Sequence, residues 1–215
     1  MTQALLCKIC EKRRAKRYCP AVQGDICALC CGTEREVSLS CPLDCEHLQD
    51  AHHHEKALPV PEELISNKDV LVNESFLADH EELLLFSIYA LVQAAMRTSG
   101  ALDADVMVAL EALIQTHRTL ESGLVYETRP ENNVAAAIQR SFSASLDEYQ
   151  KLRQEREGLM PVRNGDILKV LVFLHRIGQQ NQNGRPRGRM YLDLLRHMTP
   201  EGQLGVEERA PSIII

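Results

Sequence analysis

All eight cysteines of this 215-residue chain lie between Cys7 and Cys45, and the 170 residues after them contain none. Cysteines used only for packing would not segregate in this way. Thiols gathered so closely form either a disulfide framework or a metal site. Met1 to Leu6 has no charged stretch leading into an apolar run, so no secretory signal is expected. The expected compartment is the cytoplasm, where a reducing poise disfavours lasting disulfides. Metal binding is therefore the expected chemistry.

The spacings agree with it. Cys7-Lys8-Ile9-Cys10 is a C-x2-C pair, and Cys27-Ala28-Leu29-Cys30 is another, followed directly by Cys31 and Gly32. Cys41-Pro42-Leu43-Asp44-Cys45 is a C-x3-C pair, and Cys19, ahead of Pro20, stands alone. A C-x2-C turn lets two thiolates converge on one ion while backbone N–H groups donate to the sulfurs. A glycine just beyond permits the tight turn. Tetrahedral thiolates favour zinc, and eight are enough for two ions. An interleaved partition gives Cys7, Cys10, Cys27 and Cys30 to one ion and Cys19, Cys31, Cys41 and Cys45 to the other. Cys27 with Cys31 is an alternative third pair, His47 is a possible substitute ligand, and a free buried thiol or two is the plainest alternative. Some 50 residues with few large apolar side chains cannot build much of a core. A bound zinc contributes about 10–16 kcal/mol at neutral pH in finger peptides, enough to decide whether such a segment folds.

The stretch CKICEKRRAKRYCP…GDICALCCG resembles the HIT-type zinc finger. The likeness rests on Cys7, Cys10, the basic AKRYCP leading to Cys19 and Pro20, and ICALCC, and it covers about 45 residues. It implies a small treble-clef-like, cross-braced module with two interleaved zinc sites. It also implies protein–protein scaffolding in assemblies that often handle nucleic acid. The chain departs from that pattern at Val22, where such fingers usually carry a second cysteine. It departs again at Cys41 and Cys45, where the family tends to use His and Cys. The whole chain also resembles uncharacterised bacterial zinc-finger proteins with CCGTEREV…CPxDC ahead of a helical region, a likeness that supplies no activity.

The elements that must carry this module follow from periodicity. Residues 42 to about 56 read as a helix closing the Cys-rich module of residues 1–56. Its run His52-His53-His54 cannot converge on one ion, because only positions three or four apart share a helix face. The run reads as a solvated face. His53-His54-Glu55 spells the H-x-E of zinc deaminases, but no cysteine follows Cys45 to complete that signature. Pro59 and Pro61 mark a linker over 57–72. Helical patterns then cover about 73–98, 103–122, 131–157, 166–180 and 189–198, with stops at Gly100, Gly123 and Gly158. The expected fold is mainly α: a small double-zinc module, then a bundle of about five helices over 73–198. Leu83 to Leu91 is apolar nearly all round, which places the first long helix at the centre. His80 and His117 read as core or boundary histidines. The tail, 199–215, ends in Ile213-Ile214-Ile215, which should dock on the bundle or on a partner by strand addition.

Composition narrows the function. Net charge is −6 and aromatics are 4%, with no Trp. This argues against a general nucleic-acid binder or a broad base-stacking surface. The longest nearly apolar run, Leu83 to Met96, is too short to span a bilayer. Residues 57–162 carry 8 basic and 17 acidic side chains, net −9, whereas residues 163–198 carry 7 and 2, net +5. Two basic segments stand out: Lys12, Arg13, Arg14, Lys16 and Arg17 beside Tyr18, and Arg185, Arg187 and Arg189 among glycines and a proline. They suit phosphates, carboxylates or an acidic partner, and equally they can neutralise zinc–thiolate charge or pair with the acidic helices. No G-x-S-x-G, Walker loop, H-E-x-x-H or dinucleotide fingerprint is present. No small-molecule substrate is evident. The expected function is a zinc-binding, non-catalytic adaptor with a protein partner. A nucleic-acid-associated regulator using the two basic segments is the alternative, and a thiol redox sensor at Cys27, Cys30 and Cys31 is the third.

Overall fold

The computed structural model describes residues 5–157 and 160–199. Among the described residues 58% are helical, in eight α-helices and a 3-10 turn, and there is one two-stranded sheet, so the fold is mainly α as the periodicity predicts. A bridge between Leu6 and Arg14 closes the first turn. Strands β1 (Arg17–Cys19) and β2 (Gly24–Ile26) pair antiparallel, with Arg17 opposite Ile26 and Cys19 opposite Gly24. Two short helices follow, α1 (Ala28–Glu34) and α2 (Glu46–His54). The segment after α2 is irregular apart from a 3-10 turn at Glu62–Leu64. It is strapped to the C-terminal end of α7 (Asn164–Gln180) and the residues just after it, where the Leu58 and Val60 amides donate to the carbonyls of Gln182 and Gln179.

The bundle consists of α3 (Glu74–Asp79), α4 (Glu81–Arg97), α5 (Asp103–Glu121), α6 (Asn133–Glu157), α7 (Asn164–Gln180) and α8 (Met190–Met198). One predicted helix is broken in two, between α3 and α4. At the break His80 leaves helical geometry (φ −120°, ψ 27°). Its Nδ1 bonds the Phe76 carbonyl at 2.9 Å and its ring stacks on Phe76 at 4.2 Å. A side chain competing for its own helix's carbonyl bends the axis. Helix α4 packs against α3, α6, α7 and α8, and α5 lies against α6, α7 and α8. Their shared core holds Ile88, Leu91, Leu110, Leu113, Ile138, Phe142, Leu171, Leu174 and Tyr191. The Tyr191 hydroxyl donates to the Leu174 carbonyl at 2.7 Å, so the largest of these side chains is buried without an orphaned polar atom.

The Cys-rich module is not separate from this core. Cys41, Leu43 and Leu48 belong to it, and Leu39 touches both it and a second cluster made of Cys7, Cys19, Ile26, Cys27, Cys30 and Cys31. The tail beyond Thr199, including the three terminal isoleucines, lies outside the described residues.

Candidate metal centre

Cys7, Cys10, Cys27 and Cys30 come together with every sulfur within 4.8 Å of the others. The local backbone explains how. The Cys7 amide donates to Arg13 O at 2.8 Å and the Glu11 amide to Cys7 O at 2.8 Å, which closes a turn around the first pair. Glu11 takes a positive φ of 54° to complete it. Lys8 N then bonds Asp25 O, and Lys16 N bonds Ile26 O, both at 2.9 Å. These bonds lay the turn along the hairpin, beside the point where β2 runs into α1. Cys27 is the N-cap of α1, and its sulfur accepts from the Cys30 amide at 3.4 Å. One pair therefore sits in a turn and the other at a helix start, and the hairpin sets their separation.

The electrostatics suit a cation. Burial raises the Cys7 thiol, but the backbone amides of Cys10, Cys27 and Ile9 outweigh it and bring the group down to about 6. Cys10 is lowered by the Lys12 and Arg13 amides. Cys30 is pushed up to about 12 by burial and by the neighbouring sulfurs of Cys27, Cys10 and Cys7. The first ionisation is easy and the last opposed, because like charges crowd one small volume. A divalent cation at the centre removes that opposition. Four sulfurs without oxygen donors fit zinc and fill its tetrahedral shell.

The remaining cysteines share a different place. Cys19, Cys31, Cys41 and Cys45 line one small cavity, with His47, Ile26, Leu39 and Leu48 among its other walls. Cys41 is raised chiefly by burial and also by the charges of Cys19 and Cys45, while the Glu36 amide opposes the rise. Arg17 and Arg35 donate to the Cys31 sulfur at 3.8 and 3.7 Å. Cys30 thus joins the first quartet and Cys31 the second cavity, although they are neighbours in sequence.

The two basic segments have different fates. Lys12, Arg13, Arg14 and Lys16 are exposed and Arg17 half-buried, with Tyr18 exposed beside them. The arginines of the second segment reach into the Cys-rich module. Arg185 donates to Arg35 O at 2.7 Å and pairs with Glu55 at 2.5 Å. Arg189 donates to Cys41 O at 3.1 Å, and Arg187, itself exposed, to Ser40 Oγ. Arg185 and Arg189 thus each reach an acceptor within the chain.

Sequence reasoning missed what lies under that loop. Glu36 is fully buried at φ 54°. Its Oε1 accepts from the Arg189 amide at 2.7 Å, and its Oε2 from Asn183 at 2.8 Å and His52 Nε2 at 3.1 Å. The other His52 nitrogen bonds Asp193 Oδ2 at 2.9 Å. Burial pulls His52 down, but Asp193 and Glu36 together outweigh it and hold the imidazole up at about 9. Glu36 is lowered against its own burial by His52 and Asn183. His52 is thus an imidazolium clamped between two carboxylates. The solvated-face reading of the histidine run is wrong for His52, which is buried, while His53 and His54 are exposed. The RE of GTEREV gives no hint of a buried acid, because its partners lie 16 and 147 residues away. His117 is buried and lowered by burial, with its ring bonded to Asn164, as a core histidine should be.

No family model, no curated protein and no solved structure matches the chain. Among the described residues no helix is long and apolar enough to cross a membrane.

Proposed function

We propose that the chain is a zinc-stabilised, non-catalytic adaptor, with a HIT-type finger in which two four-thiolate ions brace the hairpin and α1. The convergence of Cys7, Cys10, Cys27 and Cys30 carries this reading. Four thiolates leave zinc no open position for a substrate or an activated water. The second ion takes Cys19, Cys31, Cys41 and Cys45, which border one cavity. Apolar side chains that a closed module has no internal use for stand out on its surface: Tyr18 at 59% and Leu29 at 53% exposure. Together with the basic run at 12–17 they suit an acidic protein partner with an apolar anchor point.

Metal analysis of the purified chain tests the first half. Two zinc ions per chain are expected. Cys7→Ser and Cys19→Ser should each lose a different one, and a single ion in the wild type refutes the partition. Nuclease-treated affinity capture with the zinc-loaded full chain tests the second half. A partner that survives nuclease and is lost with Tyr18→Ala/Leu29→Ala supports the adaptor. Recovery that collapses on nuclease treatment transfers the reading to nucleic acid bound by Lys12 to Arg17.

A further inference from the structure

The histidines of α2 part company in space, and only His52 is used by the clamp under Glu36. His53 lines a cavity of about 440 Å³ between α2 and α8, together with Asp50 from its own helix and Asp193 and His197 from α8. Positions three or four apart lie on one helix face. Each helix therefore presents an Asp/His pair to the same space.

Asp193 is the fixed point. It is 5% exposed, and its Oδ2 is held by His52 at 2.9 Å. Its Oδ1 is buried with no hydrogen-bond donor among the described residues. His197 Nδ1 stands 3.7 Å from that oxygen, beyond hydrogen-bond distance. His197 Nδ1 bonds the Asp193 carbonyl at 2.7 Å, which assigns it the proton and leaves Nε2 with its lone pair. A desolvated carboxylate oxygen without a donor is costly, and a cation relieves it. Carboxylate oxygen with imidazole nitrogen is the donor set of zinc, nickel and neighbouring divalent ions. The His52 bond to the far oxygen is the outer-shell contact that orients such a ligand.

The neighbouring group Glu36, His52 and Glu55, unlike Asp193, His197 and His53, already has its donor atoms within 4.8 Å of one another. It is already satisfied. Three N–H donors fill the Glu36 carboxylate and Arg185 pairs with Glu55.

We propose that the cavity between α2 and α8 binds one divalent transition-metal ion through Asp193 Oδ1, His197 and His53, apart from the thiolate ions. His53 and His197 are exposed, so their rings can swing onto the ion without disturbing the core, while buried Asp193 stays in place.

The test is calorimetric titration of Ni²⁺ into the zinc-loaded full chain, with zinc content measured before and after. One nickel per chain is expected with zinc retained. His53→Ala and His197→Ala should each weaken binding at least about tenfold, in line with the loss of a coordinating or orienting group. His54→Ala should leave it unchanged. Asp193→Asn should weaken it as well, and the two histidine variants decide the matter if that chain fails to fold. Absence of the extra nickel, displacement of zinc instead, or equal affinity in the His53→Ala/His197→Ala double variant overturns the proposal.

Discussion

The Cys-rich module and the helical bundle share one chain and a common border, yet they are held by different physics. The bundle fills its centre with large apolar side chains: Phe142, Ile88, Leu110, Ile114, Ile138 and Leu171 are each 0% exposed. The cluster inside the Cys-rich module contains five cysteines and Ile26. Sulfurs that small bury little area, and the proposed zinc would supply the stability that this cluster does not draw from burial. The lesson is that burial alone does not define a core. In the bundle burial is the stabilising term, whereas in the module it crowds four thiols whose full ionisation is opposed.

The largest effect that separates the two regions is metal removal. Strong chelation should unfold the Cys-rich module, with a loss on the order of 10 kcal/mol in apparent stability, while the far-ultraviolet signal of the bundle largely persists. Simultaneous loss of both would show that the two regions fold as one unit, through Leu39, Leu43 and Leu48. Phe142→Ala is the converse cut. It should cost about 3–5 kcal/mol through a cavity, read as a lower denaturant midpoint, with zinc content unchanged.

The border itself is tested next. Glu36→Gln removes a buried charge from the imidazolium of His52 and should destabilise the fold by up to ~3–5 kcal/mol in chemical denaturation. The clamp also has a pH signature. His52 is held at about 9 in the fold against its ordinary 6.5. Its contribution is therefore complete below pH 6.5, declines above that, and is lost as pH rises through 9. Unfolding midpoints measured from pH 6 to 10 should fall in the wild type, and the slope should flatten in His52→Gln. An unchanged slope in that variant would remove the clamp from the account. The smallest effect belongs to Arg118, whose guanidinium pairs with exposed Asp69 at 2.6 Å. Arg118→Ala should cost under about 1 kcal/mol, close to the resolution of the same denaturant curves.

What was readable in the chain follows from the range of the forces involved. Segregated cysteines at C-x2-C spacing announce a thiolate quartet, because the ligands of each pair are close in sequence and the chemistry of sulfur is narrow. Helical periodicity placed α5, α7 and α8 within two residues at either end, because it depends on neighbours three and four positions away. It could not foresee the break at His80, which arises when one side chain folds back onto the Phe76 carbonyl and ring.

Contacts across the chain were decided by tertiary structure alone. Arg185 and Arg189 look like an anion-binding loop in sequence, and become internal braces once the bundle sets them against Arg35, Glu55 and Cys41. His52 looks like one of three solvated histidines until α8 delivers Asp193 and the turn after α1 delivers Glu36. Local pattern fixes which residue types can bind metal and where helices form. Which charges meet is a property of distance in space, and partners more than a hundred residues apart leave no local trace of each other.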